Sequence, residues 1–146
     1  MTAAQPFPLP RQLPPTLAGI HQYWKKLIRA ENPMPFSDDV SLGSLEKFSR
    51  NLMLVDVFPG PRFRFNRVGK NIIGKLDRDL TGQFADEIKS AEPLNYFIAQ
   101  ASATIEAGTP TLYSAARRKS RGSRYSRLLL PAWGNGRIDL LLGAVI

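Results

Sequence analysis

Residues 124–146, with the sequence RYSRLLLPAWGNGRIDLLLGAVI, decide the fold of this chain. Asn135-Gly136 is a strong hairpin signal because both residue types tolerate a positive φ. The pattern therefore predicts one strand over 124–132 and a second over 137–146. Beyond Asp139 the second strand is apolar on both faces, and such a strand is expected at the centre of a sheet.

Three further strands are predicted upstream of this hairpin. Residues 111–119 form the first, which Gly122 separates from the hairpin by a turn. Residues 52–58 and 62–68 form a second hairpin around Pro59-Gly60-Pro61. Between these sets lies a helical insert with a short helix near 71–76 and a longer helix that has Pro93 in its first turn. We expect an α+β fold with a five-stranded antiparallel sheet.

The N-terminal third predicts an arm followed by a helix. Five prolines within residues 1–15 favour an extended, flexible arm. Residues 16–32 form an amphipathic helix with Thr16 as N-cap, and residues 33–146 form the main domain. The apolar stripe of this helix should pack on the sheet or on a second copy of the helix in a homodimer. The stripe consists of Leu17, Ile20, Trp24, Leu27 and Ile28.

Composition excludes several kinds of chemistry. The 146 residues include no cysteine and a single histidine, His21, so thiol nucleophiles, serine-histidine pairs and multi-histidine metal sites cannot be built. No apolar run reaches secretory or membrane-spanning length. We expect a single cytoplasmic domain without a metal site and without a membrane span.

A match to the phosphate-loop spacing at residues 69–76, GKNIIGKL, is rejected on its chemistry. Leu76 stands where a serine or threonine hydroxyl should reach Mg²⁺. The preceding strand also belongs to a hairpin, whereas phosphate loops follow strands of parallel sheets. The segment is interpreted as a short helix that packs its isoleucines into the core.

Positive charge is concentrated in a basic hairpin at residues 117–127. The formal net charge is +8, and this segment contains six basic residues and no acid. They are Arg117, Arg118, Lys119, Arg121, Arg124 and Arg127. We expect them to be exposed and to contact an acidic protein partner, with nucleic-acid or polyanion binding as the alternative function.

Several segments together resemble a family of small PAS-like proteins found mainly in alphaproteobacteria. They are Tyr23-Trp24, residues 33–45, 52–58, 63–69, Asp79-Leu80-Thr81-Gly82, residues 128–131 and residues 139–143. The resemblance implies a PAS-like five-stranded sheet and a regulatory domain of bacterial signalling. It also implies a small cavity between the concave face of the sheet and the helical insert.

Four residues are candidates for lining that cavity. Phe63 and Phe65 alternate on one strand, and Phe97 lies on the covering helix, although aromatic residues at such spacing also serve as ordinary core. Arg67 shares the parity of the two strand phenylalanines. An inward guanidinium would need an anionic partner, whereas a strand-end arginine would simply reach solvent.

These features favour a non-catalytic sensor that binds a small ligand, a protein partner or both. No flavin or haem is expected, because cysteine is absent and His21 lies outside the predicted cavity. No pair of acids converges in a way that indicates catalysis. An uncharacterised enzyme remains the second alternative.

Overall fold

A computed structural model describes residues 6–89, 91–115 and 125–146. Its helices are α1 (Pro15–Leu27), α2 (Lys70–Leu76) and α3 (Phe97–Ala107). Its strands are β1 (Leu52–Phe58), β2 (Arg62–Val68), β3 (Thr111–Ser114), β4 (Ser126–Gly134) and β5 (Arg137–Val145). Short 3₁₀ segments lie at Ser37–Asp39, Leu42–Asn51 and Ala85–Glu87.

The five strands form one antiparallel sheet in the order β2-β1-β5-β4-β3. This arrangement confirms the predicted α+β fold with a five-stranded antiparallel sheet and a helical insert. β5 lies at the centre, as its apolar residues on both faces predict. Cross-strand partners share a face, so the pairing of Arg127 with Val145 and of Leu129 with Gly143 places these residues on the side that α3 covers.

A β-bulge in β2 decides which side chains face α3. Val55 pairs with Phe65 and Leu54 pairs with Arg67, so Asn66 is the extra residue. A bulge reverses the alternation beyond it. Phe63 and Phe65 are therefore buried, whereas Arg67 is exposed. The inward orientation that simple alternation gives Arg67 is wrong for this reason.

Helix α1 packs against β4. Leu17, Ile20 and Trp24 are buried, and the Trp24 indole Nε1 donates a hydrogen bond to the Pro131 carbonyl at 2.8 Å. The helix begins at Pro15, which suits the first helical turn, so the expected Thr16 cap is wrong. Leu27 ends the helix and is half-buried.

Ile28 is extended and half-buried just beyond α1.

The arm is in contact with the sheet over the residues that are described. The Phe7 carbonyl accepts a hydrogen bond of 3.0 Å from the Leu112 amide of β3, and Leu9 and Leu13 pack on the core. The Phe7 ring also meets the Tyr113 ring edge-on at 6.2 Å. Residues 6–13 therefore lie against the sheet and the core, whereas residues 1–5 lie outside the described residues.

Helix α3 begins later than the sequence predicts. Pro93 does not lie in its first turn, because Tyr96 has a φ of +60° and redirects the chain just before Phe97. Residues 93–96 form a separate turn in front of the helix. The side chains of Leu94 and Tyr96 in this turn line a cleft.

Helix α2 replaces the rejected phosphate loop. Ile72 is buried, and a Cβ at Gly69 would collide with the Arg50 carbonyl, so Gly69 permits close packing. Among the described helices, none has the length and apolarity to cross a bilayer.

Candidate functional site

A cleft of about 390 Å³ lies at the β2 edge of the sheet, between the 3₁₀ turn at Ala85–Glu87 and the start of α3. Its lining is mainly apolar. The lining residues are Phe65, Ala85, Asp86, Ile88, Leu94, Tyr96, Phe97, Ile98 and Ala99. Largely apolar concavities with a few polar groups are the usual form of small-ligand sites.

Two phenylalanines form the floor of the cleft, and a third packs behind them. The Phe97 ring lies 5.3 Å from the Phe65 ring and 6.0 Å edge-on from the Phe63 ring. Phe65 and Phe97 line the cleft, whereas Phe63 is buried behind them. The two predicted residues that line the cleft thus come from the sheet and from the covering helix.

The rim of the cleft has an exposed apolar side and an ionic side. Tyr96 and Ile98 are exposed large apolar residues at the mouth. On the other side, Arg62 forms a bidentate ion pair with Asp86, with both distances 2.9 Å. The Arg62 guanidinium lowers the pKa of Asp86 below its usual value, so this carboxyl group is ionised and paired near neutral pH.

Arg127 lies behind this cleft and is fully buried. Its Nε donates to Gln100 Oε1 at 2.7 Å, and its two Nη atoms donate to the Pro93 and Asn95 carbonyls at 2.8 Å each. The guanidinium carbon also lies 5.5 Å from the Phe97 ring centroid and 5.0 Å from that of Tyr113. Within the described ranges, the guanidinium has no carboxylate partner.

A buried polar network extends from this arginine. Gln100 Nε2 donates to the Arg127 carbonyl at 2.9 Å and to the Thr111 hydroxyl at 3.0 Å. The Thr104 and Thr111 hydroxyls lie 2.7 Å apart, and Thr104 also donates to the Gln100 carbonyl. Since buried polar groups are costly unless they are paired, this network connects α3 firmly to β3 and β4.

Burial changes the acid-base properties of two neighbouring groups. It lowers the pKa of the Arg127 guanidinium to about 10, which leaves the group cationic at neutral pH. It raises the pKa of Tyr125 to about 12. The Tyr125 hydroxyl is buried and has no hydrogen-bond partner among the described residues.

The structure separates the other predicted site residues. Arg67 lies in a different surface groove, together with Glu46 and Thr81. The basic hairpin was predicted to be exposed throughout, and this is wrong for Arg127, because β4 carries its side chain to the face that α3 covers. The remaining cations at 117–124 lie outside the described residues.

Sequence reasoning missed the role of Arg127 and its partners, although one signal was present. The residues that follow it, 128–132, are apolar without interruption. The two-residue period of a strand places Arg127 on the same face as Leu129, so burial of that face extends to Arg127. Gln100 and Thr104 lie inside α3 and Thr111 begins β3, and their polar side chains gave no sign of burial.

No protein-family model and no curated protein matches the chain. Three similar solved structures are light-oxygen-voltage domains. One, from work with a flavin analogue on the mechanism of such domains, has 15% identity and a TM-score of 0.47, covering 72% of this chain and 82% of that one. The light state of the blue-light photoreceptor Aureochrome1 LOV has 13% identity and a TM-score of 0.43, covering 73% and 88%. A variant of RsLOV has 18% identity and a TM-score of 0.39, covering 73% and 69%.

These comparisons correct one sequence prediction. A structure similar to this chain comes from work with a flavin analogue, and the prediction that no flavin is expected is therefore wrong and is withdrawn. The absence of cysteine still excludes a cysteinyl flavin adduct. At these levels of similarity the comparisons assign no ligand to the chain.

Proposed function

We propose that this chain is a non-catalytic sensor or regulatory domain that binds a small, largely apolar ligand in the cleft between β2 and α3. The observation that carries the proposal is the cleft itself, with Phe65 and Phe97 in its floor and Tyr96 and Ile98 at its mouth. Aromatic and aliphatic walls favour a flat or branched apolar molecule.

The ionic side of the rim, formed by Arg62 and Asp86, supports a binding role over a catalytic one. A general acid or base must be available to exchange a proton with its substrate. Asp86, the acid that lines the cleft, is held ionised by both of its hydrogen bonds to Arg62. In the described part of the chain, no group of His, Cys, Asp and Glu is suited to hold a metal ion.

A protein partner is the second component of this proposal. Tyr96 is 66% exposed and Ile98 is 43% exposed, and both line the cleft. Ligand occupancy would therefore change a surface that a partner can contact. Signal output through such a surface requires no enzymatic activity.

The experiment is native mass spectrometry of the protein purified from its own host, compared with the variant Ala99→Trp. Ala99 is exposed on α3 and lines the cleft, so an indole there should fill the cleft without removing core contacts. We expect the wild type to carry a bound small molecule, flavin being one identifiable outcome, and the variant to lose it.

The matched control is Glu106→Trp, which places the same indole at an exposed position later in α3. This control should retain the ligand. A ligand that survives Ala99→Trp, or no bound molecule in the wild type, would contradict ligand binding in this cleft.

Polyanion binding is the alternative, and it rests on sequence alone. Five basic residues lie between Arg117 and Arg124 with no acid among them. The burial of Arg127 removes that residue from the set.

A further inference from the structure

The turn at residues 93–96 forms one wall of the cleft. Two backbone hydrogen bonds, one at each end, close this turn. The Leu94 amide donates to the Ala91 carbonyl at 2.7 Å, and the Phe97 amide donates to the Leu94 carbonyl at 3.1 Å. Tyr96 has a left-handed backbone, which costs free energy in a residue other than glycine. Such a turn needs additional contacts to keep one conformation.

Arg127 supplies those contacts from the other side of the core. Its two Nη atoms reach the Pro93 and Asn95 carbonyls, which are 34 and 32 residues away in the sequence. Its Nε holds Gln100, one turn into α3. One side chain on β4 therefore bonds both the turn and the first part of the helix.

We propose that Arg127 is the positioning residue of the cleft. It fixes the turn 93–96, and through that turn it sets the positions of Leu94, Tyr96 and Phe97, which line the cleft. The proposal rests on the function proposed above only where it treats the cleft as a ligand site.

The chemistry of this role is specific to arginine. A planar guanidinium directs several N–H groups in fixed directions, whereas a lysine ammonium is a compact point charge without that geometry. An apolar residue would leave the buried Pro93 carbonyl and the part-buried Asn95 carbonyl without this donor. Among the described residues the cation has no carboxylate partner, and the cost of burying it is offset by three hydrogen bonds and two aromatic rings.

The test is backbone amide hydrogen exchange in the ligand-free protein, comparing the wild type with Arg127→Met. Methionine keeps an unbranched side chain and removes every donor. We expect exchange at the Leu94 and Phe97 amides to accelerate by about tenfold or more, since each lost bond involves a charged donor. Exchange at the Gly108 amide, which bonds Thr104 at the other end of α3, should stay unchanged.

Arg127→Lys separates positioning from charge. We expect the lysine variant to show the same local acceleration, because it keeps the cation but not the geometry. Equal acceleration at both ends of α3 would show a general stabilising role and overturn the proposal, as would wild-type exchange rates at Leu94 in both variants.

Should either variant fail to fold, ¹⁵N spectra of the wild-type arginine side chains provide the decisive measurement. A guanidinium that is held at both Nη atoms rotates slowly and gives separate signals for them. A single averaged signal for Arg127 would overturn the proposal.

The two proposals can fail separately. Exchange requires no ligand, so a local effect of Arg127→Met together with an empty cleft in native mass spectrometry would refute ligand binding and leave the positioning role intact. The converse result would refute the positioning role alone.

Discussion

The Tyr125 hydroxyl is a buried donor without a partner among the described residues, close to the start of β4. A buried hydroxyl without a hydrogen bond costs about 1–3 kcal/mol of folding free energy. The ring itself is well packed, since it lies 5.9 Å from the Tyr113 ring. The aromatic ring thus contributes to stability while its hydroxyl detracts from it.

We therefore expect Tyr125→Phe to leave stability unchanged or to raise it by about 1 kcal/mol at neutral pH. Burial raises the pKa of Tyr125 to about 12 in the folded protein, whereas an unfolded tyrosine ionises near pH ~10. The wild type should consequently lose stability relative to the variant as pH rises from about 10 to 12. Urea unfolding of both proteins across this range measures the difference.

The lowered pKa of Arg127 makes stability rise with pH, which is opposite to the effect of Tyr125. Because Arg127 is present in both proteins, the difference between them isolates the effect of Tyr125. A destabilised Tyr125→Phe at neutral pH would show that the hydroxyl has a partner after all. Parallel pH curves would show that it ionises as freely when folded as when unfolded.

The sequence predicts the position of an individual side chain well where the pattern that orients it is local. Phe65 and Phe97 could be placed near a cavity because strand alternation and helix spacing each orient one of them. Arg67 could not be oriented, because the bulge at Asn66 depends on how β1 and β2 pair. The partners of Arg127 lie about thirty residues away, and only the folded chain brings them together.

Among the secondary-structure elements, α1 has one side chain, Trp24, that both packs in the core and donates a hydrogen bond to the sheet. Trp24 is 4% exposed and also supplies the hydrogen bond to the Pro131 carbonyl. We expect Trp24→Phe to cost about 1–3 kcal/mol, because the carbonyl loses its donor, and Trp24→Ala to cost about 3–5 kcal/mol. Thermal or urea unfolding measures both.

Gln22→Ala is the matched control, because Gln22 is exposed on the same helix. It should change stability by less than about 0.5 kcal/mol. Full stability in Trp24→Ala would mean that α1 is not part of the cooperative core.

The strands could be predicted more closely than the helices. β1 and β2 match their predicted bounds because their hairpin is marked by the apolar run of β1, the alternation of β2 and the turn residues between them. The start of α3 was missed because the backbone of Tyr96 is left-handed, and an aromatic residue gives no sign of that conformation. Helix ends depend on such details, whereas strand pairing depends on longer patterns.

For the molecule as a whole, the formal net charge of +8 makes attraction to polyanions a general expectation. A dedicated polyanion surface requires that the cations of residues 117–124 contribute more to DNA affinity than equally charged residues elsewhere. We expect the triple variant Arg118→Glu, Arg121→Glu and Arg124→Glu to bind a short DNA duplex much more weakly at low salt. The slope of affinity against salt should also decrease, because fewer phosphates are neutralised.

The control triple variant Lys26→Glu, Arg50→Glu and Lys70→Glu has the same net charge and reverses exposed residues elsewhere. Equal loss of DNA affinity in the two triple variants would mean that net charge alone is responsible. In that case the alternative function would have no dedicated surface.

Both edges of the sheet are occupied by other parts of the same chain. On β3, the Leu112 amide donates to the Phe7 carbonyl. On β2, the Phe65 amide donates to the Gln83 carbonyl, and the Phe65 carbonyl accepts from the Gly82 amide. Unpaired strand edges are templates on which sheets of separate molecules join into fibrils. A proline-rich covering segment has few amides of its own to offer, so it can close β3 without becoming a new template, and the sheet is protected from intermolecular growth.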